Sequence, residues 1–410
     1  MFCPPLRQFT PLLHSRRLRL SRSLPYSSNS RASLISEQVT VDCRSNGSIT
    51  LDVCRATDRA DPSRIVLFLP TGPVVDHYAS INDDNVIRDL SRASQATVVR
   101  VNYRLAHGYF YPTPIHDVLA GYDWVLENLA PTAEANRRTG YRPRIARLGV
   151  CGQLVGGSLA TMLALTECRM GGDRIAAAAL HSPIVDWLFP DPSTLNGNGA
   201  TGFNALPASL LIRARQTFFR NPANWFDPLA SAILFFRTPG SSILSGASDH
   251  HIPSTANANF VEDFPLDYSD ASAFVPIAEA EPSTSTPSQH VVPRRRAHRV
   301  FPPQGSALRL PFTRISTSSD SILYDQSAEL TKLMQRSLVR TSLKAAGMLH
   351  PDALEERDRA IAEMEAEKNA EKRVSFLVGQ GKGAGLWGVP GTEWEEEVEQ
   401  TGLWFKEALD

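Results

Sequence analysis

Short apolar runs alternate along this chain with segments of helical periodicity, and this alternation constrains the fold more than any other feature. The runs RIVLFLP, ATVVRVNY, RIARLGVCG and RIAAAALHSP have the form of central strands buried on both faces. NDDNVIRDLSRAS, PIHDVLAGYDWVLENLA and GGSLATMLALTEC lie between them and repeat apolar residues at helical spacing. Strands and helices in alternation predict an α/β fold with a mostly parallel, doubly wound sheet.

The two flanks of this pattern add further elements. QVTVDCRSNGSITLDVCRA alternates apolar and polar residues around Asn46-Gly47, which predicts an antiparallel N-terminal hairpin with a two-residue turn. Towards the C-terminus, LRLPFTRISTSS and VSFLVG predict strands. SAELTKLMQRSLVRTSL, ALEERDRAIAEMEAEKNAEKR and EWEEEVEQTGLWFKEAL predict helices, the second of them exposed to solvent because charges surround it.

The first 36 residues carry six arginines and many serines, and no acidic residue occurs before Glu37. This composition is typical of a mitochondrial transit peptide, so residues 1–36 are predicted to be a disordered leader that directs the protein to the mitochondrial matrix. A disordered basic tail is the alternative. No run of 18 apolar residues occurs, so the sequence predicts no transmembrane segment.

Residues 241–304 interrupt the pattern with a stretch rich in Ser and Pro, which predicts a long disordered insertion. It divides the core into a first part, 37–240, and a second part, 305–410. LPASLLIRARQTFF and WFDPLASAIL, before the insertion, are expected to form cap helices. The basic cluster VPRRRAHR inside it is expected to be a solvated loop, with a binding patch as the alternative.

The charge and the cysteine content give no support for a nucleic-acid partner, a disulfide framework or a metal site. The net charge is −1, so no nucleic-acid partner is evident from charge. The five cysteines show neither a CxxC pair nor histidines at metal-binding spacing, so we expect no disulfide framework, no metal and no cofactor.

The segment YRLAHGYFYPTPIHD, from Tyr103 to Asp117, resembles the motif YRLAPEHPFPAAIED of the hormone-sensitive-lipase group of α/β-hydrolases. Trp124, LGVCGQLVGGSLA, HSPIVD and FDPLAS extend the resemblance over roughly residues 38–240 and 305–410. The resemblance implies an α/β-hydrolase fold and a serine carboxylesterase or lipase ancestry.

In that family the nucleophilic serine occupies G-x-S-x-G on a sharp turn between a strand and a helix. The matching residues here are Gly152, Gln153, Leu154, Val155 and Gly156. The glycines that permit the turn are present, but Leu154 has no atom that can attack a carbonyl carbon. The family resemblance therefore predicts a retained turn without its nucleophile.

The family's HGGG oxyanion loop corresponds to Pro70, Thr71, Gly72 and Pro73. Backbone N–H groups of that loop stabilise the tetrahedral intermediate, and one such donor is worth roughly 3–4 kcal/mol of barrier. Pro73 has no N–H and cannot donate. The oxyanion loop is therefore predicted to be degenerate as well.

The acid and base positions also depart from the family. Ser321 stands at the acid position, with Asp320 one residue earlier, so a slip of one residue in the alignment would restore the acid. Ala384 stands at the histidine position. No histidine follows His350, although the base comes last in the order of this triad, and His350 is expected to be structural.

Other polar residues near the predicted site are expected to be structural. Ser158 and Cys151 should pack within the core, and Asp117 should pair with Arg104 to brace its loop. Each of the remaining candidate histidines is interpreted as isolated, with no adjacent acid motif. These are His77, His107, His116 and His181.

Two functions remain open. The first is a pseudo-esterase, catalytically inactive, that acts as a mitochondrial binding or scaffold subunit for an unknown protein partner or an apolar small molecule. The alternative is an active carboxylic-ester hydrolase with an atypical site for short-chain esters or lipids. Candidate residues for an apolar ligand pocket are Gly72, Pro73, Gln153, Leu154 and Val155.

Overall fold

The computed structural model describes most of the predicted core. The described residues are 34–56, 64–72, 82–106, 108–130, 147–172, 174–189, 208–239, 299–303, 305–346, 356–379, 386–389 and 394–410. Nearly all of the predicted leader, 1–36, and of the insertion, 241–304, lies outside these residues. The protein divides into one compact unit, Met1–Phe236 with Arg299–Asp410, and a second, Arg237–His298. The described strands and helices belong to the first unit.

In the part of the chain that the structure describes, eight strands form one sheet in the order β1-β2-β4-β3-β5-β6-β7-β8. The first two strands pair antiparallel and β2 continues antiparallel onto β4, whereas the pairs from β4 to β8 are parallel. The predicted α/β-hydrolase fold, with its antiparallel N-terminal hairpin, is thereby confirmed. The strands are β1 Leu34–Asp42, β2 Ser48–Ala56, β3 Ile65–Leu69, β4 Thr97–Asn102, β5 Arg147–Gln153, β6 Arg174–His181, β7 Phe312–Ser318 and β8 Val374–Gly379.

Helices cover both faces of the sheet, as the doubly wound pattern requires. In β3, Leu67 joins one buried cluster and Phe68 the other, because successive side chains of a strand point to opposite faces. Leu159 lies in the first cluster and Phe405 in the second. The helices are α1 Asp83–Ser94, α2 Thr113–Asn128, α3 Val155–Thr166, α4 Ala208–Phe218, α5 Tyr324–Ala345, α6 Glu356–Arg373 and α7 Trp394–Ala408. None of the described helices is long and apolar enough to cross a membrane.

The N-terminal hairpin differs from the prediction in its turn. Asp42 and Ser48 form the last pair of the ladder, so five residues connect the strands and the predicted two-residue turn at Asn46-Gly47 is wrong. The guanidinium of Arg104 explains the longer loop, because it donates to the carbonyl oxygen of Asn46. A Cβ on Gly47 would lie only 2.9 Å from Arg104 Nη1. This loop is therefore shaped by a side chain that is distant in the sequence.

The predicted cap helices are only partly confirmed. LPASLLIRARQTFF contains α4, but WFDPLASAIL forms no α-helix. It overlaps the end of one short 3-10 helix, Pro222–Phe226, and the start of another, Ala232–Phe235. Asp227 precedes a proline, a position that disfavours α-helical backbone. Its Oδ1 also accepts a hydrogen bond of 2.9 Å from the backbone N–H of Leu229, which closes a local turn.

The predicted pair of Arg104 and Asp117 is confirmed and braces the loop between β4 and α2. Asp117 is fully buried, and its carboxylate accepts hydrogen bonds from Arg104 Nε at 2.9 Å and Nη2 at 2.6 Å. The backbone N–H of Arg104 donates to the same carboxylate at 2.9 Å. The family-like segment therefore keeps its internal brace, which holds the end of β4 against α2.

Candidate active site

The turn between β5 and α3 has the form of a nucleophile elbow. Leu154 lies between Gln153, the last residue of β5, and Val155, the first of α3, and its backbone has φ 52° and ψ −114°. Positive φ in a residue with a side chain costs on the order of 1–3 kcal/mol and persists only where surrounding structure enforces it. Here Leu154 N–H donates to the carbonyl of His181 at 3.2 Å, and Leu154 O accepts from the N–H of Ser158 at 2.9 Å. The strained turn is retained.

Close packing of backbone on backbone explains the two glycines of the elbow. A Cβ on Gly156 would lie 2.2 Å from the carbonyl oxygen of Leu69 and 2.3 Å from that of Pro70. A Cβ on Gly152 would lie 2.6 Å from the carbonyl oxygen of Gly156. The first turn of α3 therefore touches the end of β3, and no side chain fits between them.

The side chain of Leu154 is part of the hydrophobic core. Leu154 and Val155 are each 1% exposed, and Gln153 is fully buried. Gly72 is half-buried with φ 83°, and a Cβ there would lie 3.2 Å from the hydroxyl of Tyr103. Pro73 lies outside the described residues. The elbow thus presents a buried hydrocarbon side chain where the family has a hydroxyl.

Gln153 ties the elbow to a segment near the C-terminus. Its Nε2 donates to the carbonyl of Trp387 at 3.0 Å, and its Oε1 accepts from the N–H of Trp387 at 2.8 Å. These two bonds satisfy a buried amide that would otherwise be costly. They also anchor the chain three residues after Ala384, the position of the family's histidine, which itself lies outside the described residues.

The two acid candidates lie in the turn after β7. Leu323 N–H donates to Ser321 Oγ at 3.2 Å, so Ser321 supports the start of α5. Asp320 is exposed, and its Oδ1 accepts from Ser319 Oγ at 3.1 Å. These hydrogen bonds of the two side chains stay within the turn. Each side chain thus has a local structural role.

His181, interpreted from sequence as isolated, instead contacts a carboxylate. Its Nδ1 lies 3.0 Å from Glu397 Oε1 on α7 and 2.9 Å from Ser316 Oγ on β7. The ring stacks on Trp387 with centroids 5.1 Å apart. His181 is buried, as expected of a core histidine, but its isolation is wrong because its acid partner lies 216 residues further along the chain. The sequence holds one weak signal for this contact: Glu397 directly precedes Val398, which belongs to the apolar face of α7 and is buried.

This buried cluster does not have the geometry of a catalytic triad. In a triad the acid binds one ring nitrogen and the nucleophile the other. Here Glu397 and Ser316 both face Nδ1, while Nε2 is buried with no hydrogen-bond partner among the described residues. Burial alone would raise the pKa of Glu397, but the charge of His181 and hydrogen bonds from His181 and Ser316 outweigh burial and lower that pKa to about 2.

The other candidate nucleophiles are placed as expected. Ser158 is buried, and its Oγ donates to the carbonyl of Ala230 at 3.2 Å. Cys151 is fully buried, and this burial raises the pKa of its thiol, which disfavours the reactive thiolate. His116 is exposed on α2.

Three further histidines, His77, His107 and His350, lie outside the described residues. Within the described parts of the chain, no group of three or more His, Cys, Asp or Glu side chains is placed to hold a metal ion.

We expect Gly156→Ala to destabilise the protein, because its Cβ would overlap the backbone carbonyl of Leu69. Overpacking of this kind costs about 1–3 kcal/mol, which urea denaturation would measure as a lower unfolding free energy. Gly172→Ala is the matched control, since nothing lies within 4 Å of a Cβ built there. Equal stabilities of the two variants would contradict the packing argument.

The lowered pKa of Glu397 predicts a specific acid sensitivity. Its pKa of about 2 in the folded protein lies below the ordinary 4.5, so the unfolded chain binds more protons between these values. The stabilisation is complete above about pH 4.5 and is lost as the pH falls towards 2. Glu397→Gln should therefore lose less unfolding free energy than the wild type between about pH 5 and pH 3.

Glu395→Gln is the control for this titration, because Glu395 is an exposed carboxylate on the same helix. It should keep the acid dependence of the wild type in urea denaturation. An unchanged acid dependence in Glu397→Gln would refute the assignment of that sensitivity to the pair with His181.

Comparisons with known proteins agree with this geometry. A profile of the alpha/beta hydrolase fold family matches residues 71–250. Esterase LipI of Mycobacterium tuberculosis is 34% identical over 104 residues, which cover 25% of this chain and 30% of that protein. The matched region thus spans less than a third of the mycobacterial esterase.

Solved esterase structures share the fold at low sequence identity. Carboxyl esterase 2 of the fungus Tuber melanosporum matches with a TM-score of 0.51 and 14% identity, over 93% of this chain and 89% of that one. The hyperthermophilic esterase of Pyrobaculum calidifontis gives 0.50 and 17%, over 91% and 83%. A thermostable esterase from Pseudomonas putida gives 0.51 and 16%, over 92% and 84%. At these identities the structures support the α/β-hydrolase fold alone, in agreement with the profile that matches residues 71–250.

Proposed function

We propose that this protein is a pseudo-esterase: an α/β-hydrolase-fold protein that has lost serine-based ester hydrolysis at its elbow and serves a binding or scaffold role. The observation that carries the proposal is Leu154, which occupies the strained position of the nucleophile and packs into the core. A hydrocarbon side chain can neither attack a carbonyl carbon nor be activated by a base.

Two further positions support the proposal. Pro73, at the oxyanion loop, lacks the N–H that would stabilise a tetrahedral intermediate. Ala384 replaces the histidine base, and no histidine follows His350 in the sequence. Because nucleophile, base and acid act as a unit, the remaining polar residues cannot recover the lost chemistry one by one.

The alternative is an active carboxylic-ester hydrolase with an atypical site, and the comparisons favour it over a scaffold role. The relatives found by sequence and by structure are named as esterases. Ester hydrolysis here would require a nucleophile other than residue 154. Among the described residues, Ser316 lies nearest to a histidine with a carboxylate partner, but it shares Nδ1 with that partner.

Fluorophosphonate labelling and turnover of p-nitrophenyl acetate and butyrate distinguish the two functions. The wild type is expected to remain unlabelled and to hydrolyse neither ester above background. Leu154→Ser should also remain unlabelled, because restoring a hydroxyl without its base does not activate it. Leu154→Ala is the matched control for a change at the same buried position.

A labelled serine in the wild type, with turnover that Leu154→Ala leaves unchanged, would establish the ester-hydrolase alternative. The position of the labelled serine, read by peptide mass spectrometry, would then identify the atypical nucleophile.

The binding role includes either a protein partner or an apolar small molecule at the elbow. Leu154 and Val155 are almost wholly covered by protein, so a ligand would reach them only if neighbouring side chains moved. Gly72, half-buried beside Tyr103, is the more accessible of the described pocket candidates. A protein partner that uses the outer surface of the fold is therefore the simpler form of the proposal.

We further propose a mitochondrial location, on the strength of the arginine-rich, acid-free segment 1–36. The full chain, incubated with isolated mitochondria, should become resistant to added protease in a manner that depends on membrane potential. A chain lacking residues 1–36 should stay sensitive to protease. Equal protection of both chains, or of neither, would count against a transit peptide.

A further inference from the structure

Four arginines converge on a cavity at the amino ends of the parallel strands, away from the elbow. Arg147 begins β5 and Arg174 begins β6, whereas Arg309 precedes β7 and Arg373 ends α6 just before β8. The cavity has a volume of about 160 Å³, whereas a single water needs roughly 10–15 Å³ by the same measure. It can therefore hold a small polyatomic ion.

The register of the sheet forces two of these charges together. Arg147 and Arg174 are direct partners across the β5–β6 pair, and neighbouring strands lie only about 4.8 Å apart. Side chains paired in this way point to the same face, and like charges directly opposite each other are destabilising. The strand pairing therefore fixes the proximity of Arg147 and Arg174.

Arg373 is the most constrained member of the cluster. Its Nε donates to the carbonyl of Leu310 at 2.8 Å, and its guanidinium lies over the Phe312 ring, 4.8 Å from the centroid. These two contacts fix the plane of the guanidinium while leaving its terminal N–H groups for another acceptor. A guanidinium group whose orientation is already fixed loses little conformational entropy when it binds an oxyanion.

The positive charge of the cluster is not balanced by the described protein. Arg100, on β4, pairs by contrast with Asp52 at 2.6 Å. No carboxylate among the described residues forms a salt bridge with any of the four. Burial, and then the charges of Arg309 and Arg174, lower the pKa of Arg373 to about 10. The cluster therefore carries a repulsion that an anion would relieve.

We propose that this cavity binds a phosphate group, either free or as part of a larger phosphorylated compound. Guanidinium groups bind phosphate through paired hydrogen bonds, and a phosphate dianion offsets two positive charges where a single carboxylate offsets one. Ile175 and Ala408 also line the cavity and leave room for an apolar part of the ligand beside the charged end.

This site is separate from the elbow in place and in chemistry. The elbow lies at the carboxyl end of β5 and is lined by buried apolar side chains, whereas the arginines lie at the opposite end of the same strand. Phosphate binding and ester hydrolysis can therefore be lost or retained independently. A negative result for phosphate binding therefore does not contradict the proposed loss of ester hydrolysis, and the reverse also holds.

Isothermal titration with inorganic phosphate and pyrophosphate tests the proposal on the full chain. The wild type should bind pyrophosphate saturably, with a matching rise in melting temperature. The double variant Arg147→Gln with Arg309→Gln should bind about tenfold more weakly or worse, since each charge-assisted hydrogen bond contributes strongly to affinity. Both of these residues are exposed, so the variant is expected to fold.

Arg340→Gln is the matched control, because it removes one exposed positive charge from α5 and does not line the cavity. It should bind pyrophosphate as the wild type does. Arg373→Gln provides a second variant at the most constrained position and should weaken binding by about tenfold as well. No binding by the wild type, or equal weakening in Arg340→Gln, would overturn the proposal.

Vesicles distinguish the two sources of a phosphate group. Retention on phosphatidylcholine vesicles that contain phosphatidic acid, lost on addition of pyrophosphate and absent with phosphatidylcholine alone, would assign the site to a lipid headgroup. Pyrophosphate binding without retention on vesicles would assign it to a soluble phosphate compound. Either result supports the site, whereas vesicle retention that survives the double variant would contradict it.

Discussion

The contact between the first turn of α3 and the end of β3 constrains the centre of the molecule. Because a Cβ on Gly156 would come within 2.2 Å of the Leu69 carbonyl oxygen, helix and strand meet backbone to backbone. That approach forces the sharp turn at Leu154 and its positive φ. The turn is thus maintained by packing, which explains how an elbow keeps its shape after its hydroxyl is gone. Fold and chemistry separate here, because the fold needs the glycines and only the chemistry needs the serine.

The comparisons and the site therefore answer different questions. The profile and structural matches support the α/β-hydrolase fold. The site residues determine which chemistry this chain can still perform. Leu154 has no atom that can attack a carbonyl carbon, and Glu397 and Ser316 both contact the same nitrogen of His181. The hydrogen-bonded cluster of His181, Glu397 and Ser316 joins β6, α7 and β7.

The parallel core and the elbow were predictable because their signals are local. β-Branched runs, helical periodicity and two glycines spaced around Leu154 each lie within a few residues of one another. The conformation of the hairpin loop could not be predicted, because Arg104, which is distant in the sequence, donates a hydrogen bond to the carbonyl of Asn46 in that loop. The pairing of His181 with Glu397 was equally hidden, because sequence spacing carries no information about residues brought together by the final helix. The arginine cavity could not be predicted for the same reason, because its four arginines come from separate segments of the chain.

The two hydrogen bonds between Gln153 and Trp387 limit how early the core can fold during synthesis. Synthesis proceeds from the N-terminus, so β5 and its amide emerge long before the backbone that satisfies them, 234 residues later. Until Trp387 has been synthesised, burial of the Gln153 amide would leave it without these hydrogen bonds, and this cost opposes early packing of the core. The core around Gln153 is thereby completed only when nearly the whole polypeptide exists.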